Sequence, residues 1–107
     1  MRNEKEAKTA AIFLNELGVK TPIITMGEQG AFLHEHGLIP AFNVGEVVET
    51  TGAGDAFNGG LAVALSEGKS ALEAVRFGCA TASISVTRPG TAPSMPARDE
   101  VEEILLN

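Results

Sequence analysis

The stretch Glu49-Thr50-Thr51-Gly52-Ala53-Gly54-Asp55-Ala56-Phe57-Asn58-Gly59-Gly60 holds the residue types best suited to chemistry in this 107-residue sequence. A glycine-rich turn running into a helix N-terminus presents unpaired backbone N–H groups and the positive end of the helix dipole. Both favour a phosphate or a developing anion. Gly52 and Gly54 lack the β-carbon that would hold a phosphate away from the backbone. Asp55 sets a carboxylate beside such a site, which is unfavourable if the task is only to bind an anion. It makes sense as the acceptor of a proton from a hydroxyl attacking the γ-phosphorus of a nucleotide. A plainer reading stands beside this one: the glycines form a tight turn and Asp55 caps the helix. Two rival motifs are excluded. A P-loop needs Lys-Ser or Lys-Thr after its last glycine, and a dinucleotide fingerprint needs glycine where Phe57 stands.

Elsewhere the candidates are weaker. His34 and His36 are spaced to share a strand face, but no third ligand is near and Gly37 marks an exposed hairpin tip, so packing is favoured over a metal pair. Cys79 lies in an apolar helical stripe with no partner base, which suits a buried packing role. Asp99, Glu100, Glu102 and Glu103 read as a solvated helix face. Asn58, one turn beyond Asp55, has the reach of phosphate or Mg²⁺ but equally suits plain helix surface. Arg88 has two candidate partners, a phosphate and Glu49.

The elements that must position these residues follow from periodicity. Ala7, Ala10, Ala11, Leu14 and Leu17 recur at helical spacing within Glu4–Leu17, leaving Lys5, Lys8 and Asn15 outward, and Gly18 is placed to stop that helix. Ile23–Met26 predicts a short buried strand, Gly30–His34 a second, and Glu35-His36-Gly37 a polar turn into Leu38-Ile39. Val44, Glu46 and Val48 alternate weakly, as in one more extended segment. Phe57, Leu61 and Leu65 form a stripe on a helix over Ala56–Glu67, stopped by Gly68. Ser70 and Glu73 make a capping box for a helix that buries a narrow stripe of Leu72, Val75, Cys79, Ala82 and Val86. Small residues on these two helices imply close packing or backbone near a ligand. After a proline-rich loop over Arg88–Pro96, Pro96 opens a last helix with Val101, Ile104 and Leu105 inward. Helix, strands and three further helices suit a layered α/β domain.

Composition narrows the function. The length allows one domain, and 44% hydrophobic with 21% charged residues is the balance of a soluble globular chain. A net charge of −6, with no Trp or Tyr, argues against nucleic acid as a partner. No apolar run reaches the roughly 20 residues that span a bilayer. Met1 to Ala10 has no signal-peptide core, and one cysteine allows no internal disulfide, so a cytoplasmic location is expected.

The string TTGAGDAF, and the course of the chain from Ile23 to Leu105, resembles the C-terminal part of the ribokinase (PfkB) family of carbohydrate kinases. The family signature, Asp-Thr-Thr-Gly-Ala-Gly-Asp followed by a small residue and Phe, is met everywhere except its first position, where Glu49 stands. The run Val86-Thr87-Arg88-Pro89-Gly90-Thr91-Ala92-Pro93-Ser94-Met95-Pro96 is similar to the ribokinase branch more than to fructokinase or adenosine kinase relatives. The resemblance implies the C-terminal part of a three-layer α/β/α fold and ATP-dependent phosphoryl transfer to a primary hydroxyl of a small sugar, ribose first. Mg²⁺ would arrive with ATP. By the same resemblance Asp55 matches the catalytic base, and the amides of Gly52, Ala53 and Gly54 match an anion hole. Thr25 and Gly27 match a strand-to-loop segment along the nucleotide, and Cys79 matches the lining of the adenine pocket. Glu49, Thr51, Val86, Pro89, Thr91 and Ser94 match a site for potassium or another monovalent cation, with the longer Glu49 side chain a departure from the family's aspartate.

Family members are substantially longer. Their sugar-binding residues and lid strands have no counterpart in this sequence, so residues 1–107 are expected to form the C-terminal, nucleotide-binding half of such a domain. An exposed sheet edge and apolar surface, covered by a missing N-terminal half or by a homodimer, are expected to follow. The alternatives are a non-catalytic nucleotide-binding remnant, or one chain of a split kinase.

Overall fold

A computed structural model describes residues 3–48, 50, 52–88 and 98–106, which fall into two compact units meeting in sequence at Pro40 and Ala41.

The first unit is one helix on a small sheet. Helix α1 (Glu4–Glu16) starts at Asn3, whose side chain accepts the Glu6 N–H at 2.8 Å and donates to the Glu6 carboxylate. It ends at Gly18, at φ 105°, where the Gly18 and Val19 amides bond back to the Asn15 and Leu14 carbonyls. Strands β1 (Ile23–Thr25), β2 (Gly30–Leu33) and β3 (Gly37–Pro40) form an antiparallel meander in the order β1-β2-β3, with Ile24 opposite Phe32 and Ala31 opposite Ile39. Ala7 and Ala11 press α1 against Met26 and Phe32. The expected five-residue stripe of α1 is thus carried by two alanines, and Leu17 is 66% exposed beyond the last helical turn. β1 is half-buried rather than buried: it is an edge strand, and Thr25 faces solvent.

The second unit is built around α3. Helices α2 (Ala53–Ser66), α3 (Ala71–Ser85) and α4 (Arg98–Leu106) enclose a core of Ala64, Ala74, Phe77, Ala80, Ile84 and Val101, with Phe42, Leu61, Ile104 and Leu105 around it. α3 is buried on most of its circumference, not along a narrow stripe. Phe77, Ala80 and Ile84 are inside as well as Val75 and Cys79, whereas Leu72 is exposed. On α2 the buried residues are Ala56, Phe57, Gly60 and Ala64, and Leu65 lies outside. The segment from Ala41 to Val48 is not a strand. Its hydrogen bonds go to α3: the Phe42 amide donates to Ser83 Oγ at 2.9 Å and the Val48 amide to the Val86 carbonyl at 2.7 Å. The alternation of Val44, Glu46 and Val48 therefore has no sheet to serve, and Val44 and Val48 are exposed.

Candidate functional site

α2 begins three residues earlier than the spacing of Phe57, Leu61 and Leu65 predicts, so Ala53, Gly54 and Asp55 form its first turn. Gly52 is the N-cap in the left-handed region, at φ 91°, a conformation that disfavours any residue with a β-carbon. Among the described residues no side chain caps the helix. Asp55 is therefore not the cap of the plainer reading; it is the third helical residue, and its carboxylate and the Gly54 backbone are exposed. Ala56 and Phe57, immediately after, are buried and anchor the turn. The Gly52 carbonyl accepts the first helical bond, from the Ala56 amide at 2.9 Å. The Ala53 amide donates to the Thr50 carbonyl at 3.1 Å, so of the three amides expected to form an anion hole this one already has a partner. What the turn offers is an exposed carboxylate and exposed backbone on the positive end of a 14-residue helix.

The other predicted residues fall as follows. Thr25 ends β1 exposed, and Gly27, at φ 59°, opens a single 3₁₀ turn over Gly27–Gln29, so the strand-to-loop geometry is present. Cys79 is buried in the middle of α3, and its burial pushes the thiol up to about 11, which keeps it protonated and unreactive at neutral pH. The Val86 carbonyl accepts the Val48 amide at 2.7 Å. Glu49, Thr51, Pro89, Thr91 and Ser94 lie outside the described residues, as does Pro96.

Arg88 pairs with Glu100 on α4, and its other expected partner, Glu49, lies outside the described residues. His34 and His36 sit in the turn between β2 and β3 rather than on a strand. His34 lies 3.7 Å from the Glu35 carboxylate. Among the described residues no three His, Cys, Asp or Glu side chains gather as metal ligands, and no helix is long and apolar enough to cross a membrane. An open depression of about 380 Å³ lined by Lys69, Glu73, Arg76, Phe77, Glu102 and Leu105 lies towards the C-terminal end of α2, away from Asp55. Sequence reasoning did not find the Arg88–Glu100 pair, the Asn3 cap, or the Arg76 guanidinium 5.9 Å over the Phe42 ring. Only the Asn-x-x-Glu spacing at Asn3 carried a signal for any of them.

Comparison with known proteins gives one consistent result. The family described as pfkB family carbohydrate kinase matches residues 1–98. A ribokinase of Haemophilus influenzae is 44% identical over 106 residues, covering 96% of this chain and 34% of that protein. The crystal structure of a Thermotoga maritima ribokinase superposes with a TM-score of 0.85 at 51% identity, over 94% of this chain and 34% of that one. An Arabidopsis thaliana ribokinase complexed with ribose and ATP superposes with a TM-score of 0.82 at 40% identity, over 91% of this chain and 32% of that one. The chain spans about a third of the length of these relatives.

Proposed function

Because the chain belongs to the pfkB family of carbohydrate kinases, with the ribokinase-like α/β fold expected from its sequence, we propose that the first turn of α2 is where a γ-phosphoryl group passes from Mg·ATP to a primary hydroxyl of a sugar, ribose first. One observation carries this reading: Asp55 is exposed on the first turn of a helix whose N-cap, Gly52, supplies no capping side chain.

The Asp55 carboxylate accepts the proton of the sugar hydroxyl as its oxygen bonds to the γ-phosphorus. The bond from that phosphorus to the β,γ-bridging oxygen breaks, and ADP leaves with the electron pair. The Gly52 and Gly54 amides and the α2 dipole hold the charge on the moving phosphoryl group, while the Ala53 amide, tied to Thr50, keeps the turn in shape. Mg²⁺ is bound as the ATP complex. Cys79, as a neutral buried thiol, backs the adenine pocket. Potassium or another monovalent cation, when bound, supplies fixed positive charge beside the anion hole. The Val86 carbonyl, with Glu49, Thr51, Pro89, Thr91 and Ser94, makes the proposed set. The sugar pocket lies in the part of the relatives that this chain does not span, and the cytoplasm is the compartment where ATP and sugar meet.

Calorimetric titration of the 107-residue chain with Mg·ATP, in potassium buffer and in potassium-free buffer, tests the nucleotide part of the proposal. Saturable binding that is stronger with potassium supports it. A folded chain that binds no Mg·ATP in either buffer contradicts it.

A further inference from the structure

α2 and α3 cross where a glycine of each lies against the other helix. A β-carbon on Gly60 would lie 2.5 Å from Thr81 Oγ1, 3.0 Å from Thr81 Cβ and 3.2 Å from Gly78 Cα. One on Gly78 would lie 3.0 Å from Phe57 Cδ1, from Phe57 Cε1 and from the Phe57 carbonyl oxygen. Several of these atoms are backbone or β-carbon, which cannot swing aside as a side-chain tip can. Thr81 Oγ1 is fixed as well, since it donates to the Phe77 carbonyl at 2.8 Å. Glycine weakens a helix interior relative to alanine, so two interior glycines that meet across one contact are retained against local preference. Phe57 follows Asp55 by two residues and is buried, so the crossing fixes the first turn of α2 through the ring and carbonyl lying on Gly78.

We infer that Gly60, Thr81 and Gly78 are positioning residues for phosphoryl transfer: their contact sets where the Asp55 carboxylate and the Gly54 amide stand relative to α3. The inference rests on the reading of the α2 start as the phosphoryl end of the nucleotide site. Alanine at Gly60 pushes α2 off α3 and carries the first turn with it. Displacements on the scale of 1 Å at a reacting centre are costly, on the order of 100-fold in rate. The γ-phosphoryl of ATP reaches this turn, whereas ADP lacks that group.

The test is titration of the 107-residue chain with Mg·ATP and, separately, Mg·ADP, alongside thermal melting. Gly60→Ala is expected to weaken Mg·ATP about tenfold and Mg·ADP no more than about twofold. Adding Thr81→Ala, which removes the 2.5 Å overlap but keeps the 3.0 Å approach to Cβ, is expected to recover part of the Mg·ATP loss. Gly78→Ala, whose added carbon meets Phe57 at 3.0 Å, is the milder second variant, expected to act in the same direction should Gly60→Ala not fold. Equal losses for both nucleotides, or no loss with a raised melting temperature, overturn the inference. Failure of the wild-type chain to bind Mg·ATP instead overturns the parent reading, and this inference falls with it.

Discussion

The two long helices of the second unit begin in opposite ways. At α3 the Ser70 hydroxyl accepts the Glu73 amide at 3.2 Å, and the Glu73 carboxylate accepts the Ser70 amide at 3.3 Å, so the start is closed by its own side chains. At α2 a left-handed glycine, which has no side chain to cap with, occupies the cap position, and Asp55 stands exposed. One start spends its polar groups on stability. The other ties the Ala53 amide to Thr50 but leaves the Gly54 backbone and the Asp55 carboxylate exposed, at a cost the rest of the helix must offset through Ala56, Phe57, Gly60 and Ala64. The same chemistry of orphan amides thus serves folding at one helix and, in the proposed function, phosphoryl transfer at the other.

Asp55→Asn separates the two starts most sharply. In an enzyme that also carries the sugar pocket it is expected to lower turnover by roughly 100-fold or more, the usual scale of losing a general base, while Mg·ATP affinity by calorimetry changes little. Gly52→Ala comes next: forcing a β-carbon into the left-handed region costs about 1–2 kcal/mol, read as a lower midpoint in urea unfolding. Ser70→Ala should cost about 1 kcal/mol by the same measurement, with Mg·ATP affinity unchanged, because that cap serves only the fold.

Two pH effects are smaller. The Ser70 amide and hydroxyl, helped by Lys69, hold the Glu73 carboxyl below its ordinary value of 4.5. A depressed carboxylate stabilises above its unfolded value and loses that contribution as pH falls through the folded one, so Glu73→Gln should flatten the stability profile below about pH 4.5. The Cys79 thiol is shifted the other way, from 9.0 up to about 11, by burial. Its contribution is complete below pH 9 and fades between 9 and about 11, so Cys79→Ala should reduce the alkaline loss of stability in that window.

Much of this was legible in the residues. The Ser70–Glu73 box, the Gly18 and Gly68 stops and the inward Val101, Ile104 and Leu105 depend on local patterns, and all are present. The start of α2 was misread because Gly52-Ala53-Gly54 looks like turn, while the helix takes Ala53 and Gly54 into its first turn once Phe57 is buried. The breadth of burial on α3 was hidden because Thr81, Ser83 and Ser85 read as polar. Thr81 and Ser83 hydroxyls donate to the Phe77 and Cys79 carbonyls of the preceding turn, so they are buried without loss. The Val44–Val48 alternation failed because the partners of that segment, Ser83 and Val86, are some forty residues away and helical or just past a helix. Arg88 met Glu100 for the same reason: long-range pairing leaves no trace in spacing. At the site, Gly52, Gly54 and Asp55 stood out by residue type and spacing, whereas the Ala53 amide's engagement with Thr50 needed the fold.

The most direct test of the contrast between the two helix starts is the amide spectrum of ¹⁵N-labelled chain during titration with Mg·ATP. The account predicts large shifts for Gly52, Gly54 and Asp55 and none for Ala71, Leu72 and Glu73. Shifts at the start of α3, with the first turn of α2 unmoved, would contradict it.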